Sequence, residues 1–165
     1  MSDFFTKTDL SRKDAESIIS ETLNNCDDGE LYLENSKSES IVLDDDKIKS
    51  SSYSSDLGYG LRAVTGEVVA YSHSNEISKK SLKQSANNLS STLKSQKGIY
   101  NHEIPKTNKK FYKDVNPIEE KSLQSKLDLL KEVNNYTRAK GGIVRQVTAS
   151  FAGEHKSIEI IRSGG

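Results

Sequence analysis

Leu57-Gly58-Tyr59-Gly60-Leu61-Arg62-Ala63-Val64-Thr65-Gly66-Glu67-Val68-Val69-Ala70-Tyr71-Ser72 decides how the rest of the chain is read. Leu57, Tyr59, Leu61 and Ala63 alternate with smaller or polar residues, the period of a strand with one buried face. Gly58 and Gly60 fall on the opposite face. Thr65-Gly66 between Val64 and Val68 signals a two-residue hairpin, and Val68, Ala70 and Ser72 form the returning strand. Upstream, Leu31, Leu33, Ile41 and Leu43 predict a long strand that ends in a turn at Asp44-Asp45-Asp46. A serine-rich strand follows, with Ile48, Ser50, Ser52 and Ser54 in alternation. These segments predict an antiparallel meander of about four strands.

Helical spacing brackets the meander. Ala15, Ile18, Ile19, Thr22 and Leu23 form one stripe within Leu10 to Asn25, with Ser11 as cap and Asp14 three residues later, close to a capping box. Leu82, Ala86, Leu89 and Leu93 form another stripe within Ile77 to Leu93, with Ser78 as cap. Gln96 to Asn116 is polar and irregular, with Pro105 and Lys109-Lys110. Pro117 suits the first turn of a third helix capped by Asn116. Leu123, Leu127, Leu130 and Asn134 share a face of that helix, with Val133 beside them. A hairpin is expected after Gly141-Gly142, turning at Ala152-Gly153 and returning over Ser157 to Ile161. The expected fold is α+β: helix, meander of about four strands, helix, then a helix and β-hairpin opening a second domain. The corresponding boundaries are 1–97 for an N-terminal domain, 98–116 for a linker and 117–165 for the incomplete start of a middle domain.

The composition restricts the function classes. The 165 residues carry 24 basic and 24 acidic side chains, for a net charge of zero. A nucleic-acid binder usually carries a basic surplus, so that partner is not expected. A mean hydropathy of -0.70 and an apolar fraction of 33% predict a thin core, with sheet faces that meet solvent or a partner. The single cysteine, Cys26, forbids an intrachain disulfide and fits a reducing compartment. No apolar run suits a membrane span, and Met1-Ser2-Asp3-Phe4-Phe5 lacks the features of a signal peptide. A cytoplasmic protein is expected. Ile158-Glu159-Ile160-Ile161 running into Arg162-Ser163-Gly164-Gly165 reads as an apolar strand entering a turn, so the chain is expected to be the front part of a longer protein.

No chemistry-bearing constellation emerges from the side chains. His102-Glu103 begins a zincin pattern, but Lys106 and Thr107 stand where a second His is needed. Glu154-His155 could end an inverted pattern, but Phe151 fills the place of its other His. His73 stands apart from both. Cys26 follows a helix C-terminus, where the dipole disfavours a thiolate. Asp44-Asp45-Asp46 lacks the Gly and Glu of a calcium loop and reads as a solvated turn. Gly58-Tyr59-Gly60 lies within strand and reads as a bulge or a close backbone approach, not a phosphate loop. Arg62 reads as a sheet-surface salt bridge. The Ser50 to Ser55 run has hydroxyls and no paired base. No catalytic, cofactor-binding or metal residue is assigned.

The order of these patterns carries a resemblance. Ser38-Glu39-Ser40-Ile41-Val42-Leu43-Asp44-Asp45-Asp46-Lys47-Ile48-Lys49 and Gly58-Tyr59-Gly60-Leu61-Arg62-Ala63 resemble the N-terminal region of the TldD/PmbA family of metalloproteases. Arg138, Val147-Thr148-Ala149-Ser150-Phe151-Ala152-Gly153-Glu154-His155 and Ile160-Ile161-Arg162 resemble its second region. Ser150-x-x-Gly153-Glu154-His155 is closer to the TldD branch than to the PmbA (TldE) branch. The resemblance implies a zinc-dependent peptidase of peptides or unfolded proteins, also known as a modulator of DNA gyrase. It implies a dimer with an identical or TldE/PmbA-like subunit. It places the active site on an HExxxH helix of a C-terminal domain. This chain has no HExxxH, so no catalytic or metal residue is carried over, and zinc is expected only in the missing C-terminal domain. What the resemblance assigns here is a part in enclosing the substrate chamber and in the dimer. The alternative is a standalone binding or assembly module without enzyme activity, which finding a stop codon directly after Gly165 would support. A hydrolase using Ser with His73 or His155 is a third reading, and it predicts esterase turnover.

Overall fold

A computed structural model describes residues 3–6, 8–93, 98–99 and 115–163. A short 3-10 turn, Asp3–Phe5, precedes α1 (Arg12–Leu23). Three strands follow: β1 (Asp28–Asp44), β2 (Lys47–Thr65) and β3 (Val68–Ser74). Then come α2 (Lys79–Leu93), α3 (Pro117–Glu120), α4 (Leu123–Arg138) and β4 (Thr148–Ile161). The four strands form one sheet in the order β3-β2-β1-β4. β2 and β3 pair antiparallel, from Tyr59↔Ser74 to Thr65↔Val68. β4 runs against β1, because Thr148 bonds Asp44 at one end and Arg162 pairs with Asp28 at the other. The class is α+β with an antiparallel sheet, as expected.

Local chemistry sets the helix ends and turns. The Ser11 hydroxyl accepts the Asp14 amide at 3.1 Å, and the Ser78 hydroxyl accepts the Ser81 amide at 3.1 Å. Each satisfies a donor that the first helical turn would otherwise leave open. The β1–β2 turn has positive φ at both Asp45 (47°) and Asp46 (64°), the pattern of a type I′ turn. The β2–β3 turn is Gly66-Glu67, one residue later than the sequence suggests. Gly66 takes φ 59° at its first central position, as a type II′ turn requires.

Three elements differ from expectation. Residues 48–63 form one strand, not two, and the fourth strand of the sheet is β4. The hairpin expected at Ala152-Gly153 is absent, because β4 passes straight through both residues. The long β1 supplies a continuous partner. A Cβ at Gly153 would meet Glu39 and Ile118 at 3.6 Å, an ordinary contact, and its φ is not positive, so nothing in the local backbone makes this glycine a turn. The third helix is split: Lys121 is extended, Asn116 caps α3, and Ser122 caps α4 by accepting the Ser125 amide. Most of the expected 98–116 linker, with His102, Pro105 and Lys109-Lys110, lies outside the described residues.

The chain divides into two compact units. The first comprises Met1–Asn35, Asp56–Lys109 and Ser157–Gly165. Its core gathers Leu10, Ile19 and Leu23 from and beside α1, and Leu82 and Leu89 from α2. Leu31, Leu33, Leu61 and Ile161 come from the sheet. All of these are nearly inaccessible to solvent. The second comprises Ser36–Ser55 and Lys110–Lys156, and its smaller core is Ile41, Leu43, Leu130 and Ala149, flanked by Leu127 and Phe151.

Candidate interaction surface on the open sheet

In the first unit, alternation along the strands sends one set of side chains to the helices and the other to the opposite face. The second set is Glu30 and Tyr32 on β1, Gly60, Arg62 and Val64 on β2, Val69, Tyr71 and His73 on β3, and Ile158 and Ile160 on β4. Val69 (59%), Tyr71 (64%), Ile158 (49%) and Ile160 (52%) remain exposed there. Tyr71 and His73 stack with ring centroids 5.8 Å apart. The Tyr71 ring lies over Gly60, where a Cβ would come within 2.6 Å of the phenol oxygen. A Cβ at Gly58 would approach the Ser74 carbonyl to 2.8 Å. Both glycines therefore permit close approaches.

Arg62 anchors the charged part of this face. Its Nη2 donates to Asp28 at 2.8 Å and its Nε to Glu30 at 3.3 Å, while Arg162 also pairs with Asp28. Partial burial pushes the Asp28 carboxyl up, but the hydrogen bond from Arg62 and the charge of Arg162 outweigh it and hold the group below its ordinary value. Burial likewise opposes the Arg62 charge, and Asp28 and Glu30 reverse that effect. Tyr32 donates to Glu34, which raises its phenol to about 12 and keeps it protonated. Arg62 is thus engaged by carboxylates of its own sheet.

The other candidate residues are dispersed. His73 is exposed on β3. His155 lies half-buried on β4 and helps to lower the Glu119 carboxyl, whose main partner is Lys37. Glu154 is exposed 3.7 Å from Lys156. Cys26 is buried, with its thiol 3.7 Å from the Thr22 carbonyl. The aspartate turn is a fastening: Asp44 accepts from Gln146 and Thr148, and Asp45 from the Val147 amide and Arg138. Ser50 to Ser55 are all exposed on β2.

Two arrangements escaped sequence reading. On the helix side of the first unit, the Tyr59 hydroxyl lies 2.8 Å from Ser81 and 2.9 Å from Ser85, and Ser72 donates to Ser85. The signal was Ser85 standing within the apolar stripe of α2. In the second unit Lys126 is 5% exposed, bonding Glu39 and the Ile118 carbonyl, with its ammonium 5.7 Å from the Phe151 ring centre. Lys126, Leu130 and Asn134 are the buried residues of α4, whereas Leu123 is 55% exposed. A lysine four residues before Leu130 was the available clue.

Among the described residues no group of three or more His, Cys, Asp or Glu could hold a metal ion, so these residues do not fit a zinc site. No described helix is long and apolar enough to cross a membrane.

In the first unit, helices on one side of the strands and a mixed apolar and charged opposite face define an α+β module. Residues 29–92 match PmbA/TldA metallopeptidase domain 1. The Metalloprotease TldD homolog of Buchnera aphidicola subsp. Acyrthosiphon pisum is 34% identical over 84% of this chain and 29% of its own length. That of Haemophilus influenzae is 31% identical over 86% of this chain and 30% of its own. Among solved structures, a Bacteroides thetaiotaomicron protein named as a modulator of DNA gyrase shares the fold, with a TM-score of 0.67 and 19% identity. That likeness covers 93% of this chain and 37% of the other. TldE from Thermococcus kodakarensis is similar over 89% of this chain and 34% of its own, with a TM-score of 0.57 and 16% identity. The chain belongs to the TldD/PmbA family. It spans roughly a third of the length of the curated relatives it matches.

Proposed function

We propose that this chain is the N-terminal, non-catalytic portion of a TldD-like metallopeptidase acting on peptides or unfolded proteins in the cytoplasm. Its sheet helps to enclose the substrate chamber, and it takes part in a dimer with an identical or TldE/PmbA-like subunit. The observation that carries the reading is the match of residues 29–92 to the first domain of that family. The open sheet supports it: main-chain groups at a strand edge can hold an extended peptide whatever its side chains. No catalytic step is assigned to residues of this chain. The zinc that the family's metallopeptidase name implies would be held elsewhere in the longer polypeptide.

The test compares this chain with the product of the extended reading frame on an unfolded protein substrate, with zinc and with a chelator. Chelator-sensitive hydrolysis by the longer product alone is expected. The same activity in the short chain would overturn its non-catalytic assignment, and an inactive longer product would overturn the peptidase reading.

A further inference from the structure

α1 and α2 both belong to the first unit and are bridged at their N-terminal ends, where Lys79 bonds Asp14 at 2.7 Å. Further along the two helices a groove of about 290 Å³ lies between them. Ile18 and Ala86, both buried, form its apolar floor. Glu21 and Thr22 of α1 stand on one side, and Lys83, Asn87 and Ser90 of α2 on the other.

The two walls are chemically opposite. Lys83, Asn87 and Ser90 recur at i, i+4 and i+7, which sets them in one row along α2. All three are exposed, and among the described residues no hydrogen bond or ion pair engages their side chains. They offer an ammonium, an amide and a hydroxyl to an anion. On α1 the Thr22 hydroxyl is committed to the Ile18 carbonyl at 2.6 Å. Glu21 accepts from Ser17 through one oxygen at 3.3 Å, which leaves the other for a cation. Glu21 and Lys83 form no ion pair across the groove, whereas Asp14 and Lys79 do.

These features select a ligand. The volume lies at the lower end of the roughly 300–1,000 Å³ of small-molecule sites, so the ligand is small. Opposite charges on the two walls suit a molecule with a cationic and an anionic end, and the floor suits an apolar group between them. A short peptide with free ends has this form, its charges set apart by up to about 3.6 Å per residue. We propose that the α1–α2 groove binds a short zwitterionic peptide with an apolar side chain, its ammonium on Glu21 and its carboxylate on Lys83, Asn87 and Ser90. The inference is independent of the peptidase reading, because it needs only α1 and α2.

Titration of the isotope-labelled chain with the dipeptide alanyl-leucine, followed by NMR, tests the site. Both walls are exposed, so a dissociation constant of about 1 mM is expected. Amide shifts should gather at residues 18–22 and 83–90. The N-acetylated and C-amidated dipeptides, each lacking one charge, should bind about fivefold more weakly. Lys83→Ala should weaken the free dipeptide by about the same factor and leave the C-amidated form unaffected, a pattern that a folding defect does not give. Glu21→Gln should act likewise on the ammonium and spare the N-acetylated form. No shifts at about 20 mM dipeptide, shifts centred elsewhere, or equal affinity for free and blocked dipeptides would each overturn the site. The peptidase reading fails separately, on an inactive longer product.

Discussion

The two compact units solve the same problem with different means. The first buries a broad set of aliphatic side chains from two helices and the sheet, and its buried hydroxyls at Tyr59 and Ser85 satisfy one another. The second has a core of Ile41, Leu43, Leu130 and Ala149, and it places a lysine ammonium beside them. A small apolar core leaves less hydrophobic stabilisation, so directional bonds carry more of the fastening of α4. The Lys126 ammonium engages β1 through Glu39 and the end of α3 through the Ile118 carbonyl, while Arg138 reaches the Asp45 turn. The difference predicts where each unit fails.

Lys126→Ala should give the largest effect. It leaves the Glu39 carboxylate, 11% exposed, without its cation, a loss of about 3–5 kcal/mol for a buried pair. Hydrogen exchange should show lost protection in α4 while α1 and α2 keep theirs. Equal loss in all three helices would break the comparison. Leu61→Ala removes a fully buried side chain from the first core and should cost about 2–5 kcal/mol in denaturant unfolding. Here α1 and α2 should lose protection first. Tyr59→Phe deletes one buried hydroxyl while Ser72 still bonds Ser85, so about 1 kcal/mol is expected by the same measurement.

The smallest effect is acid dependence on the open face of the first unit. The Asp28 carboxyl lies below its ordinary value of 3.8 in the folded state. Its contribution is therefore present above that ordinary value and is lost as pH falls through the lower folded value. Melting temperatures measured downward from about pH 5 should fall less steeply for Asp28→Asn than for the wild type. Parallel curves would show that the Arg62 and Arg162 contacts with Asp28 do not contribute.

Much of the architecture was legible. Ser11, Ser78 and Asn116 act as caps where the sequence places them, and the stripes of α1 and α2 are the buried faces. Those features depend on residues a few positions apart, so local chemistry suffices to read them. The candidate surface was legible only in part. The exposed face of β2 and the Arg62 salt bridge follow from alternation, but the identity of the partners, Asp28, Glu30 and the distant Arg162, does not. Lys126 was missed because a lysine on an apolar stripe usually extends its charge to water. Here Glu39, remote in sequence, gives the charge a partner.

The sequence by itself determined the α+β class, the caps, the position of the aspartate turn and the two-residue period of the strands. Each is set by backbone preference and side-chain spacing within one element. Tertiary structure decided that Ala152-Gly153 would continue a strand, that Ile161 would close the first core and that β4 would join the sheet beside β1. A strand's fate depends on which neighbour offers it main-chain hydrogen bonds, and that neighbour is far away in sequence.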